Sequence, residues 1–73
     1  MESLAQFLKN KRKEEGLTQE MFADRAGVAL TVIRKIEQGK KNLNLTSVNQ
    51  VLEMFGYVLA PVKADSRSDG SEI

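Results

Sequence analysis

The 73-residue sequence contains no cysteine and no histidine. Without cysteine no disulfide can brace the chain, and the absence fits a reducing compartment, so a cytoplasmic location is expected. Together the two absences remove the commonest general base, the commonest thiolate nucleophile and the usual ligands of zinc. Carboxylates remain, but Glu14 and Glu15 follow Lys13 in a run of charge that reads as a solvated helix end, and no polar pocket is outlined. No enzymatic activity, metal or cofactor is therefore expected. Long apolar runs are lacking as well: none approaches the ~20 residues of a membrane span, and residues 1–8 have no sustained apolar stretch of the kind a secretion signal needs.

An excess of charge of one sign is also missing, since the formal net charge is only +1. Its distribution is uneven. Residues 1–63 carry ten Lys and Arg against seven Asp and Glu, whereas residues 64–73 carry one against three. A mildly basic body with an acidic tail is compatible with nucleic acid and equally with ordinary solvated charge. Hydrophobic residues make up 41% of the chain, as in a globular domain. The length allows one such domain, with a small core and a thin margin of stability.

Four short helices are legible, each followed by a glycine (16, 27, 39 and 56). The first covers about residues 3–15, with Ser3 as N-cap and Leu4, Phe7 and Leu8 on one face. The second covers about 19–26, with Thr18 as N-cap, Glu20 in the first turn, and Leu17 and Phe22 placed to staple across the cap. The third covers about 30–38, anchored by Val28, Ile33 and Ile36. The fourth covers about 47–55, with Thr46 as N-cap and a stripe of Val48, Val51, Leu52 and Phe55. Phe7, Phe22 and Phe55 read as core. Residues 57–62, Tyr-Val-Leu-Ala-Pro-Val, then change period and read as one strand. Pro61 limits it to an edge or a ribbon. Such a strand either folds back on its own domain or pairs with a second chain. Residues 64–73 have little to bury and are expected to be a disordered acidic tail.

The second and third helices, joined by a tight glycine turn, form a helix-turn-helix, which leaves one face of the later helix free to enter a major groove. With Val28, Ile33 and Ile36 inward, the helical wheel turns Leu30, Thr31, Arg34, Lys35 and Gln38 outward. Arg and Lys can bond guanine, and Leu30 or the Thr31 methyl can pack on a thymine methyl. Taken singly, these exposed basic residues are no more than solvated charge; the motif around them favours contact with DNA.

The combination Leu17-Thr18-Gln19-Glu20, Ala26-Gly27-Val28 and Ile33 … Ile36-Glu37 … Gly39-Lys40 resembles the Cro/cI-repressor (XRE) family of helix-turn-helix domains over roughly residues 4–60. The resemblance implies a mainly α, lambda-repressor-like bundle of four to five short helices. It implies DNA contact by Thr18, by Gln19 (which would grip a phosphate and brace the recognition helix), and by Leu30, Thr31, Arg34, Lys35 and Gln38. Lys40, followed by Lys41 and Asn42, falls where the family meets phosphate. Arg12 and Glu37 fall where the family pairs a buried arginine with a glutamate; the alternative is two unrelated surface groups. Three positions depart from the family pattern. Ala29 stands where a Ser or Thr usually caps the recognition helix, Lys11 where an apolar residue is common, and Asn49 where leucine is common.

The ending, Leu45-Thr46-Ser47-Val48 … Val51-Leu52-Glu53-Met54-Phe55-Gly56 followed by a strand, resembles the HipB-type antitoxins. These pair their C-terminal strands across a dimer axis and bind a HipA-type kinase toxin. The resemblance implies residues 1–56 as the DNA-binding domain and residues 57–63 as a dimerisation strand. The interface would comprise Val51, Phe55, Tyr57, Val58, Leu59 and Val62. The expected function is an autoregulatory repressor acting as a homodimer on a palindromic operator, and the antitoxin of a toxin–antitoxin pair. A stand-alone or phage-type repressor, or a protein-interaction module on the same scaffold, are the alternatives.

Overall fold

Three of the four helices begin at a side chain that catches a free backbone N–H of the first turn. The computed structural model describes residues 2–63. Helix α1 (Leu4–Glu14) starts at Ser3, whose hydroxyl accepts from the Gln6 N–H at 3.1 Å; α2 (Gln19–Ala26) starts at Thr18, whose hydroxyl accepts from the Met21 N–H at 3.1 Å. Helix α3 (Leu30–Glu37) follows Ala29, which has the extended backbone of a cap but no side-chain bond to offer. Helix α4 (Leu45–Glu53) is capped by Asn44, whose amide oxygen accepts from the Ser47 N–H at 3.2 Å. This corrects the expected start at Thr46. Two good capping residues stand two positions apart, and the more strongly preferred asparagine takes the role. The helix also ends earlier than expected, because the N–H groups of Phe55 and Gly56 turn back to the carbonyls of Leu52 and Glu53 in a tightened last turn.

The core consists of Leu8, Leu17, Phe22, Ala23, Ala26, Ile33, Ile36, Val48, Val51 and Leu52. Leu17 and Phe22 both lie in it, on either side of the Thr18 cap. Phe7, Val28 and Phe55 pack against it from half-buried positions. Helix α3 touches all three of the others. At eight residues it is too short to hold together alone in water, so packing through Ile33 and Ile36 is what makes it helical.

Beyond the core, α1 and α3 are joined by charge. The Arg12 guanidinium donates to both Glu37 carboxylate oxygens, at 2.8 and 3.1 Å, and its remaining terminal nitrogen donates to the Leu17 carbonyl at 2.9 Å. Glu37 is the buried charged residue of the described region.

After Gly56 the chain doubles back along the helices. The Tyr57 ring meets Phe7 edge-on with centroids 4.9 Å apart, and the Leu59 N–H donates to the Asn49 side-chain oxygen at 2.8 Å. Among the described residues there is no strand. The expected strand over 57–62 would need a ladder partner, and the single chain supplies none. The tail at 64–73 lies outside the described residues.

Removing one member of the Arg12–Glu37 pair strands a buried charge, which typically costs about 3–5 kcal/mol. Arg12→Ala, which strands the buried Glu37 carboxylate, should lose that much stability in urea denaturation, and Glu37→Ala should lose less, because the Arg12 side chain is only half-buried and can turn to water. The double variant should lose clearly less than the sum. Additive losses would mean that the two side chains act independently.

Candidate nucleic-acid interface

The turn between α2 and α3 sets how the exposed face of α3 is presented. Gly27 has φ +75°, a left-handed conformation that side-chain-bearing residues rarely adopt. Its N–H and that of Val28 both return to the Ala23 carbonyl, at 2.9 and 3.0 Å. The turn is also held from α4. The Gln50 amide nitrogen donates to the carbonyls of Ala26 and Gly27, at 3.1 and 2.9 Å, satisfying acceptors that the end of α2 leaves open. A Cβ on Gly27 would come within 3.0 Å of that nitrogen. Sequence reasoning missed Gln50. It sits beside the apolar stripe of α4 with nothing local to mark its role, which comes entirely from where α4 packs.

Helix α3 divides cleanly. Ile33, Ile36 and Glu37 are buried, whereas Thr31, Arg34, Lys35 and Gln38 are exposed. Leu30, expected to face outward, is half-buried and packs against the core, so only part of it remains for a groove. The helix closes at Gly39, whose N–H donates to the Ile36 carbonyl while the Lys40 N–H donates to that of Lys35, at 3.0 and 3.1 Å. This is the Schellman pattern, and it fixes the backbone of Lys40 at the end of the helix. Lys40, Lys41 and Asn42 follow with exposed side chains.

The electrostatics of this side follow from the fate of one carboxylate. Glu37 is the single acidic residue of α3, and it points inward to Arg12. Arg34, Lys35, Lys40 and Lys41 make no salt bridge among the described residues. The outer side of α3 and the following loop therefore carries unpaired positive charge, as a phosphate-binding surface requires.

Gln19 stands at the first position of α2, half-buried, and its amide nitrogen donates to Glu37 at 3.1 Å. An amide nitrogen has two hydrogens, so one is committed to bracing α3 and the other is free for an external acceptor. The Thr18 hydroxyl is exposed and accepts from Met21. Gln19 thus ties the N-terminus of α2, where Thr18 is the cap, to α3 through Glu37.

The residues expected at a dimer interface divide. Val51 is 0% exposed, inside the chain's own core, so its side chain has no surface to give a second chain. Phe55 is half-buried, its ring 5.5 Å from that of Phe22. Tyr57, Val58, Leu59 and Val62 are exposed. Two departures from the expected pattern gain a physical reason here. The Lys11 ammonium lies 5.7 Å from the centroids of both Phe7 and Tyr57 and 3.6 Å from Glu14, so a cation sits over the aromatic pair where an apolar residue was expected. Asn49, in place of a leucine, holds Leu59. Among the described residues no cluster of three or more His, Cys, Asp or Glu is disposed to hold a metal, and no helix is long and apolar enough to cross a membrane.

A helix-turn-helix family profile matches residues 8–59, more than half of the chain, from within α1 to the segment after α4. No curated protein matches the sequence.

Ala29 already has cap geometry, with φ −68° and ψ 150°, yet makes no capping bond. Ala29→Ser should therefore stabilise the domain by ~1 kcal/mol. Thermal unfolding should show a rise in Tm of roughly 4–8 °C. An unchanged Tm would mean that the first N–H groups of α3 gain nothing from a side-chain acceptor.

Proposed function

Since the chain belongs to the XRE-type helix-turn-helix family of DNA-binding transcription regulators, we propose that it is a sequence-specific repressor. It binds a palindromic operator as a homodimer and occludes a promoter, its own among them. The observation that carries this reading is the division of α3. Thr31, Arg34, Lys35 and Gln38 are exposed, while the helix's one carboxylate is turned inward to Arg12. In the major groove, Arg34 and Lys35 supply donors for guanine and Thr31 a methyl for thymine. Lys40, Lys41, Asn42, Gln19 and Thr18 hold phosphates on either side, which fixes register without reading sequence. Two such domains joined through residues 57–63 would set their recognition helices about 34 Å apart, one turn of DNA.

The exposed apolar residues Tyr57, Val58, Leu59 and Val62 and the HipB-like ending support a finer reading. The repressor is the antitoxin of a HipA-type kinase toxin, which it binds as well as DNA. A kinase-like protein encoded beside its gene that co-purifies with the chain would separate this from a stand-alone repressor.

Two substitutions test the DNA interface by different signatures on the DNA upstream of the gene. Arg34→Ala should weaken operator binding by roughly 1–3 kcal/mol and relax the preference at one base position. Lys40→Ala should weaken binding to all sequences alike and reduce the slope of log K against log salt by about 0.9. Gel shifts and salt titrations decide both. An operator affinity unchanged in the Arg34→Ala variant would remove α3 from the groove. A chain that shifts no DNA at all would leave only the protein-interaction alternative.

A further inference from the structure

The turn that aims α3 is built on the residue least able to hold an angle. Gly27 has no Cβ, and its φ of +75° is only one of the conformations open to a glycine. The two peptide units that flank it are nevertheless held at both ends. In the unit joining Ala26 to Gly27, the N–H donates to the Ala23 carbonyl at 2.9 Å and the C=O accepts from the Gln50 amide nitrogen at 3.1 Å. In the unit joining Gly27 to Val28, the N–H donates to the same Ala23 carbonyl at 3.0 Å and the C=O accepts from the same Gln50 nitrogen at 2.9 Å. Each peptide unit is planar, so holding both planes fixes φ and ψ of the glycine between them. The N–H bonds are internal to α2 and its end, whereas both C=O bonds come from one side chain of α4. That amide nitrogen has two hydrogens, and the turn takes both. Ala29, at the start of α3, adds no side-chain bond.

We propose that Gln50 is a positioning residue for base reading: by holding both peptide units at Gly27 it fixes the tilt at which α3 enters the major groove, and it sets sequence selectivity through the turn rather than through a contact of its own with DNA. The inference rests on the reading of α3 as the recognition helix and names what holds that helix at its angle. Burial of Ile33 and Ile36 decides which side of α3 faces the core, but apolar contact has no direction and leaves small tilts cheap. At 1.5 Å per residue the helix is about 12 Å long, so a tilt of about 10° at the turn carries its far end about 2 Å. A hydrogen bond to a base edge has a range of only a few tenths of an ångström. The long, flexible stems of Lys40 and Lys41 can follow such a shift to a phosphate, whereas the planar fork of Arg34 on a guanine cannot. Loss of the Gln50 bonds therefore removes base reading and spares phosphate contact.

Gln50 is exposed, so Gln50→Met keeps a side chain of similar length and helix propensity while removing both donors. Selection from random DNA by the full wild-type chain supplies the operator, and an unrelated duplex of equal length is the reference. Circular dichroism fixes a temperature at which each variant is folded. There Gln50→Met should bind the operator at least about fivefold more weakly, the scale of one lost base contact, and the unrelated duplex within about twofold of the wild type. Selection repeated with the variant should flatten the preference at several neighbouring base positions together, unlike the single position expected of Arg34→Ala. Gln50→Ala, which removes the stem as well, should behave in the same way. An operator affinity unchanged in both variants overturns the role of Gln50. Equal losses on operator and unrelated duplex reduce it to a contribution to stability and overturn it as well. A preference lost at one position alone means that Gln50 touches DNA itself, which overturns action through the turn. A wild-type chain that selects no sequence overturns the recognition-helix reading on which the proposal rests.

Discussion

The placement of the Glu37 carboxylate is the constraint on which the rest of the molecule depends. It is buried, and a buried carboxylate is tolerable only when paired and hydrogen-bonded. Arg12 from α1 and Gln19 from α2 supply those bonds, and Arg12 adds one to the Leu17 carbonyl just before α2. One group of α3 thereby gathers the two preceding helices around itself. The same bonds remove the only negative charge of α3 from its outer face. Stability and surface potential are set by one interaction, so a substitution at Arg12 or Glu37 changes both together.

The polar links do what the core alone is too small to do. Ten apolar residues are buried among the described residues, and the helices run from eight to eleven residues. A core of that size fixes which helices pack but leaves their ends loosely specified. Side chains from α4 secure two of those ends, Gln50 at the turn before α3 and Asn49 at the segment after Gly56. Any ligand that binds this assembled arrangement and not the unfolded chain adds its own binding free energy to stability.

Much of this architecture is legible in the sequence. Helix α2 has its expected limits because Thr18 and Gly27 bracket it with strong, unambiguous signals. Helix α4 was displaced by two residues because Asn44 and Thr46 both make good caps, and only the folded backbone decides between them. The apolar period identified Ile33, Ile36, Val48 and Leu52 as core correctly. It also marked Val51 as part of the α4 stripe, but a period cannot tell a residue facing its own core from one facing a partner, and Val51 faces its own core. Leu30 shows the same limit in reverse, lying at the border of the buried and open faces. Gln50 and the reason for Asn49 were not legible, because their acceptor and donor lie 23 and 10 residues away in the chain. The β-type composition of 57–62 was plain, but a strand exists only with a neighbour.

Asn49 and Gln50 are adjacent, and their side chains reach in different directions, one to the turn that aims α3 and one to the segment that would meet a second copy. Two neighbouring amides thus act like the pivot of a pair of calipers. In the homodimer proposed here, the gap between the two reading heads is set at that pivot, with no flexible linker to absorb error. A DNA turn holds about 10–10.5 base pairs, so inserting one base pair between half-sites rotates one of them by about a tenth of a turn around the duplex. A dimer whose joint follows that rotation keeps hold of both half-sites, and one whose joint does not loses a half-site. In the proposed homodimer with a fixed joint, the spacing between half-sites would thereby become part of what is recognised.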